Sequence, residues 1–168
     1  MRKAVFAAVT AGTLVALVAG VAVASSGGAT AGAVVKTRKT SLGTVLVNAK
    51  SLTLYMFMKD KNGKSACSGQ CATFWPPLVT SGKPTAGAGA KASLLGTTRR
   101  AGGKVQVTYK GHPLYRFAQD TKAGQTNGEG VNAFGAHWYA VSPAGAKVLK
   151  SSSGGGYGGG GGYGGYGG

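Results

Sequence analysis

The sequence predicts a mainly β fold, in which one small domain consists of two pseudo-symmetric antiparallel repeats of about four strands each. The first observation is internal similarity: residues 54–60, LYMFMKD, match residues 114–120, LYRFAQD, at an offset of 60. The second is that the segments before these motifs alternate in polarity or are rich in β-branched and aromatic side chains, as strands are. The third is that short stretches rich in Gly and Pro separate the segments, which is typical of β-hairpins.

Each repeat is predicted to open with a strand, to continue with a hairpin whose second strand carries the motif Tyr-x-Phe-x-x-Asp, and to end with a further strand. The strands around the motif are predicted at residues 34–40, 45–47 and 74–79 in the first repeat and at residues 94–100, 105–109 and 138–142 in the second. After the motif the offset slips to about 63, where Phe74-Trp75 matches His137-Trp138. A short helical turn is expected after the cysteine loop, around residues 71–74.

The N-terminus has the pattern of a secretory signal peptide at residues 1–24. Arg2 and Lys3 precede an uncharged apolar run, and Ala22-Val23-Ala24 offers small residues to a signal peptidase. The run is also close to the length that spans a bilayer, so an uncleaved membrane anchor is the alternative. The composition divides the remaining chain into a flexible mature N-terminus at 25–33, the first repeat at 34–79, a Gly/Ala/Lys linker at 80–92, the second repeat at 93–150 and a disordered Gly/Tyr-rich tail at 151–168.

Charge is the most unusual property of the composition. The 168 residues contain 19 Lys and Arg against three acids, Asp60, Asp120 and Glu129, and the formal net charge is +16. Loss of Arg2 and Lys3 with the signal peptide leaves +14. A chain this basic outside a cell is expected to attract anionic cell-envelope polymers or an anionic lipid surface.

The same composition excludes most enzyme classes. Three acids leave little material for carboxylate-based catalysis, and the chain has no phosphate loop, nucleophile elbow or dinucleotide fingerprint. We therefore expect a non-enzymatic protein without a cofactor, and the sequence identifies no small-molecule substrate. Because the chain has a predicted export signal, a specific nucleic-acid partner is not expected.

The repeated motif supplies the predicted core and two candidate carboxylates. Its residues are Tyr55, Phe57 and Asp60 in the first copy and Tyr115, Phe117 and Asp120 in the second. On a strand the tyrosine and the phenylalanine point to the same face, which we expect to be buried. Each aspartate is predicted to order the turn after its own strand. The alternative is that the two carboxylates face each other across a pseudo-two-fold axis as a catalytic or cation-binding pair.

Cys67 and Cys71 are the only cysteines of the chain. An even cysteine pair in an oxidising compartment is normally a disulfide, and a spacing of four residues can satisfy the geometry of the bridge. The alternative is a metal-binding or redox dithiol, although no second pair is present to complete a zinc site.

Two methionines and two histidines suggest a competing function as an exported copper carrier. Met56 and Met58 would share one face of a strand, and thioethers are soft ligands of the kind that bind copper. The competing interpretation is a core strand filled with adaptable methionine. His112 and His137 are the other candidate metal ligands, but two histidines alone are a weak signal.

Several of these segments together resemble the bacterial secreted-repeat family of predicted lipoproteins. The resemblance lies in the duplicated Tyr-x-Phe-x-x-Asp, in Cys67-x-x-x-Cys71 followed by ATFWPPL, and in the run NGEGVNAF from Asn127 that leads to His137-Trp138-Tyr139. It implies an exported tandem-repeat protein of unknown molecular function. No cysteine follows the apolar N-terminal run, so the lipid anchor of the lipoprotein members is not expected here.

The sequence therefore predicts a secreted or extracytoplasmic cell-envelope protein that acts as a binding or structural module. A metal or redox carrier is the second hypothesis. A polyanion or nucleic-acid binder that uses the basic residues and the Gly/Tyr tail is the third.

Overall fold

The computed structural model describes residues 31–150. The predicted signal peptide at 1–24 and the predicted tail at 151–168 lie outside the described residues, as does most of the predicted N-terminal segment. The strands are β1 Val34–Thr40, β2 Gly43–Asn48, β3 Tyr55–Phe57, β4 Val79–Thr80, β5 Thr85–Ala86, β6 Leu95–Arg99, β7 Val105–Tyr109, β8 His112–Pro113, β9 Asn132–Ala133 and β10 Ala136–Ala140. The helix α1 covers Gln70–Phe74, and a 3-10 turn covers Ala92–Leu94.

These elements confirm the predicted mainly β class. The opening strands β1 and β6 lie where the sequence predicts them, within one residue at each end. The helical turn expected after the cysteine loop is α1, whose last four residues are those predicted. Among residues 31–150 no helix is long and apolar enough to cross a membrane.

Three small sheets hold the strands together. Their strand orders are β2-β1-β5, β3-β10-β9 and β4-β7-β6, with β8 added to β7. Each opening strand forms an antiparallel pair with the strand after it, from Val35 opposite Asn48 in the first repeat and from Leu95 opposite Tyr109 in the second. The opening hairpins of both repeats are therefore local.

The motif strand, by contrast, crosses to the other repeat. The predicted hairpin with the preceding strand persists only at its turn, where Leu54 N donates to Leu46 O over 2.9 Å. Beyond that point β3 pairs with β10, so that Phe57 lies opposite Trp138 and Tyr55 opposite Ala140. The predicted hairpin is therefore present around its turn, but the sequence does not predict this crossing, in which a motif with apolar side chains on both faces is buried by neighbours from both halves.

The second repeat makes the equivalent crossing to the first. Leu78 N donates to Leu114 O, and Ala118 N donates to Phe74 O, each over 2.9 Å. The corresponding bonds of the other crossing run from Val141 N to Leu54 O and from Met58 N to His137 O. Residues in these pairs differ by 60 in the motif and by 63 in the closing segment, which are the two offsets of the sequence repeat.

The segment predicted as a linker runs along the outer edge of β1. Within it β5 pairs in parallel with the start of β1, and Thr37 N donates to Ala88 O over 2.9 Å. The approach is close at Gly89, where a Cβ atom would overlap the Thr37 side chain, and the φ of +76° also favours glycine.

The buried apolar residues form two clusters. The first surrounds the two tryptophans and contains Val45, Val47, Tyr55, Phe57, Cys67, Cys71, Trp75, Tyr115, Phe117, Trp138 and Ala140. The second contains Val35, Leu46, Leu54, Met56, Leu78, Val107, Tyr109, Leu114 and Val141. Both clusters include residues of both repeats, so the two halves form one joint core.

Candidate functional site

The two copies of the motif meet at the boundary between the repeats. Tyr55 and Tyr115 exchange two backbone hydrogen bonds, from Tyr55 N to Tyr115 O over 2.9 Å and from Tyr115 N to Tyr55 O over 3.0 Å. An approximate two-fold axis therefore passes between these two residues.

Four stacked aromatic rings follow the same symmetry. The rings of Trp75 and Trp138 stack in parallel at the centre, with centroids 3.9 Å apart. Phe57 continues the stack on Trp138 at 4.0 Å, and Phe117 continues it on Trp75 at 4.3 Å. Each motif phenylalanine thus stacks on the tryptophan of the other repeat, and these rings contribute much of the burial that joins the halves.

The two tyrosine hydroxyls bond across the repeat boundary to the two aspartates. Tyr55 Oη donates to Asp120 Oδ2 over 2.5 Å, and Tyr115 Oη donates to Asp60 Oδ2 over 2.8 Å. We call these two hydrogen bonds the crossed Tyr–Asp pairs. The sequence shows the repeated Tyr and Asp but not that they exchange partners.

The second oxygen of each carboxylate serves its own repeat. Asp60 Oδ1 accepts from Ala66 N over 2.8 Å, and Asp120 Oδ1 accepts from Asn127 N over 3.0 Å. Each aspartate therefore has the local loop contact that the sequence predicts for it. The two carboxylates accept from different donors, and no hydrogen-bonding partner is shared between them.

The surroundings of the two pairs differ. Beside Asp60, Tyr115 Oη also lies 2.7 Å from Ser65 Oγ, and Arg100 Nη1 donates to that Ser65 oxygen and to Gln106 Oε1. Beside Asp120, Tyr55 Oη instead accepts from Gly128 N over 3.3 Å. The Tyr115–Asp60 pair is therefore supported by the Ser65 hydroxyl and the Arg100 guanidinium, and the Tyr55–Asp120 pair by the backbone of Gly128.

Gly128 is required by this packing. A Cβ atom there would lie 2.8 Å from Trp75 Cη2 and 2.9 Å from Tyr55 Cζ, which is too close for either ring. The glycine lets the loop backbone lie directly against the aromatic stack.

Burial controls the protonation of these groups. Burial, followed by the adjacent Asp120 carboxylate, raises the pKa of Tyr55 far above its usual value, and burial likewise raises the pKa of Tyr115. Burial also raises the pKa of Asp60, against the opposing effects of the Ala66 and Tyr115 hydrogen bonds and the Arg100 charge. Both tyrosines therefore remain protonated at neutral pH and act as hydrogen-bond donors rather than as bases or nucleophiles.

Glu129, the third acid, lies beside the second pair. Its Oε2 accepts from Ala140 N over 2.7 Å, within β10, and burial raises its pKa. The side chain is only 6% exposed. The motif pattern does not single out this residue, although an acid in an interior glycine-rich loop of a chain with only three acids is a usable signal.

The cysteines are joined in the structure. A disulfide connects Cys67 to Cys71, with the Cα atoms 5.3 Å apart, and both residues are buried in the first cluster. Arg100 Nη2 donates to Cys67 O over 2.5 Å. The bridge thus fixes the start of α1 beside the Asp60 loop, and the second repeat has Asn127 and Val131 at the offset of 60.

The candidate metal ligands are spread over the fold. The prediction that Met56 and Met58 share a face is wrong: β3 ends at Phe57, and Met56 is buried at 3% exposure while Met58 is 40% exposed. His112 and His137 are both exposed, on β8 and β10. Within the described part of the chain no group of three or more His, Cys, Asp or Glu side chains is arranged to hold a metal ion.

A surface groove lies away from the motif residues. It has a volume of about 830 Å³ and runs between the loop around Lys83 and the strands β6 and β7. Its walls consist of hydroxyl, aliphatic and glycine positions, with Lys83 as the charged residue. No carboxylate, imidazole or thiol lines the groove, and its hydroxyl residues include Thr80 and Ser81.

Comparison with protein families agrees with the repeat geometry. A family model described as "Secreted repeat of unknown function" (Lipoprotein_15) matches residues 36–79 and residues 96–142, and the chain belongs to this family. This confirms the resemblance inferred from the motifs, and the two matches fall on the two repeats. No curated protein and no solved structure matches the chain.

Proposed function

We propose that this secreted repeat protein is a non-enzymatic module that binds anionic polymers of the cell envelope through its basic surface. The single observation that carries the proposal is the position of the acids. Asp120 and Glu129 are buried, Asp60 is partly buried, and each accepts a backbone hydrogen bond. The three negative charges therefore lie wholly or partly beneath the surface.

The basic side chains have the opposite distribution. Without Arg2 and Lys3 the chain has 17 Lys and Arg, all within residues 31–150, and 14 of these are exposed. The other three, Lys36, Arg100 and Arg116, are partly buried. A surface with many cations and almost no anions has a positive potential over most directions of approach, which favours an extended polyanion over a small anionic ligand.

The chemistry of the interior also supports a non-enzymatic role. The two tyrosines retain their protons, and both oxygens of each aspartate already accept hydrogen bonds. A catalytic carboxylate needs an oxygen that can reach a substrate. The crossed Tyr–Asp pairs are better suited to holding the repeats together.

The test measures binding of the mature protein to poly(glycerol phosphate), with uncharged dextran as the control polymer. We expect binding to the phosphate polymer alone, with an affinity that falls steeply as salt rises from about 50 to 500 mM, because salt screens the surface charges. Equal binding to dextran, or an affinity independent of salt, would contradict the proposal.

Substitutions test the role of charge at one site on the surface. Lys61 and Lys64 are exposed and lie opposite each other in the turn after Asp60. The pair Lys61→Glu with Lys64→Glu should weaken polymer binding several-fold. The matched pair Lys61→Arg with Lys64→Arg keeps both charges and should bind as the unmodified protein does.

A further inference from the structure

Two phenylalanines from distant parts of the chain meet on the surface. Phe74 ends α1 and is 42% exposed, and Phe134 lies in the turn between β9 and β10 and is 36% exposed. Their ring centroids are 6.1 Å apart. Single exposed apolar side chains are common on proteins, but two aromatic rings brought together outside the core need another explanation.

The backbone at Phe134 is unfavourable for this residue. Its φ is +58°, and the next residue, Gly135, has a φ of +88°. These two residues connect Ala133 and Ala136, which lie opposite each other at the end of the β9–β10 hairpin. Asn and Gly are the residues that normally occupy such left-handed positions in a two-residue turn, whereas a bulky aromatic residue is strained there.

A hydrogen bond to the backbone holds the turn that carries Phe134. From the core side, Trp138 Nε1 donates to Ala133 O over 3.2 Å, which fixes the hairpin through its backbone. A strained aromatic residue at an exposed turn is a reason to consider a functional role.

A positive charge lies at the same point. Lys59 Nζ donates to Phe134 O over 3.3 Å, and Lys61 and Lys64 are exposed on the turn that follows. We call Phe74, Phe134 and Lys59 the aromatic tip. An aromatic pair beside cations has the two properties of a surface that binds at the interface of an anionic bilayer: apolar groups that enter the headgroup boundary and ammonium groups that contact phosphate.

We propose that the aromatic tip docks the protein onto the surface of an anionic phospholipid bilayer. Charge complementarity favours this partner over a second copy of the chain, since pairing two tips would bring the lysines of two highly basic proteins together. The proposal goes beyond the binding of soluble polyanions, because a dissolved polymer has no apolar interior for the phenylalanines.

The test uses the mature protein with vesicles of phosphatidylcholine alone or with phosphatidylglycerol added. We expect binding to the anionic vesicles, and Phe134→Asn should weaken it about tenfold, as for the loss of one buried aromatic ring. Because Asn suits the left-handed turn, this variant should melt at the same temperature as the unmodified protein or higher. Phe74→Gln is a second variant, which should weaken vesicle binding from the other side of the tip.

Val79→Thr is the matched control, since Val79 is an exposed apolar residue on β4, 46% accessible, and Thr keeps its shape. It should bind vesicles as the unmodified protein does. Unchanged binding by Phe134→Asn and Phe74→Gln, or equal loss with Val79→Thr, would overturn the inference. A further contradicting result would be that the unmodified protein self-associates without lipid and that Phe134→Asn abolishes this association. The aromatic tip would then pair with a second copy of the chain.

Soluble polymer separates this inference from the proposed function. Phe134→Asn should bind poly(glycerol phosphate) as tightly as the unmodified protein. If the unmodified protein binds anionic vesicles through the tip but does not bind the polymer, the proposed function fails and the docking inference stands. If it binds the polymer and Phe134→Asn does not affect vesicle binding, the docking inference fails alone.

Discussion

Asp60 and Asp120 each accept two hydrogen bonds. One carboxylate oxygen accepts from a loop of the same repeat, and the other oxygen accepts from a tyrosine of the opposite repeat. The local half of this arrangement could be predicted, because an aspartate after a strand commonly accepts a backbone N–H of the following turn. The crossed half could not. A buried tyrosine needs a hydrogen-bond partner, but the sequence spacing does not say which of two equivalent acids provides it.

The pH dependence of stability should reveal the buried acids. Burial raises the folded pKa of Glu129 above its unfolded value of about 4.5. A group with a raised folded pKa contributes stability that is fully present below the unfolded pKa and is lost as pH rises through the folded pKa. Glu129→Gln keeps an acceptor for Ala140 N and removes this titration.

We therefore expect Glu129→Gln to gain stability relative to the unmodified protein as pH rises from about 4 to about 7. Urea unfolding of both proteins at these two pH values measures the difference. A variant that loses relative stability over this interval would show that the ionised Glu129 stabilises the fold, and that burial does not raise the pKa of this carboxyl.

At the scale of elements, the motif strand is too short to be placed by its own pattern. Three residues, Tyr55–Phe57, form β3, and all are buried. Alternation and β-propensity predict that such a segment is a strand, but they do not identify its partner. The slip of offset from 60 to 63 shows only that the loop between the motif and the closing strand is three residues longer in the second repeat, and it does not identify the partner either.

The helix α1 depends on a covalent constraint. It has five residues and no side-chain hydrogen bond at its N-terminal cap, and isolated helices of this length are unstable. The disulfide joins Cys67, which precedes the helix, to Cys71 within it. Phe74 is the last residue of the same helix, and Trp75 is the next residue along the chain. The bridge therefore positions both the central aromatic stack and one half of the aromatic tip.

Reduction of the bridge should lower the free energy of unfolding by about 2 kcal/mol, the loop-entropy value for a closed loop of this size. Thermal melts with and without reductant measure the change. The control for other effects of the reductant is the double variant Cys67→Ala with Cys71→Ala, whose melting temperature should not respond to reductant. Equal stability of the oxidised and reduced protein would contradict a constraining role for the bridge.

At the scale of the whole molecule, two similar halves exchange their central strands, aromatic rings and Tyr–Asp bonds. The mainly β class could be predicted from the alternation of polarity, and the repeat from the similarity between the two halves of the sequence. The helical turn could be predicted from the turn residues after the cysteine loop. The exchange between the halves does not, because local and crossed pairing bury the same side chains of two nearly identical copies. Only the lengths of the connecting turns distinguish the two arrangements, and sequence patterns specify such lengths poorly.

The charge distribution belongs to this scale as well. The crossed Tyr–Asp pairs hold Asp120 in the interior and Asp60 in a partly buried position, and Glu129 is buried beside them. Residues 31–150 contain 17 Lys and Arg against three acids, so the exterior is basic from composition alone. The burial of Asp120 and Glu129 increases this excess of positive charge at the surface.

The measurement that tests the crossed Tyr–Asp pairs most directly is a double-mutant cycle on the free energy of unfolding. Tyr55→Phe combined with Asp120→Asn should show a coupling of about 1 kcal/mol, because Asn keeps an acceptor and the cycle reports the difference between a hydrogen bond to a carboxylate and one to an amide. Tyr55→Phe combined with Asp60→Asn should be additive within about 0.5 kcal/mol. Strong coupling of Tyr55 to Asp60, with none to Asp120, would contradict the exchange of partners between the repeats.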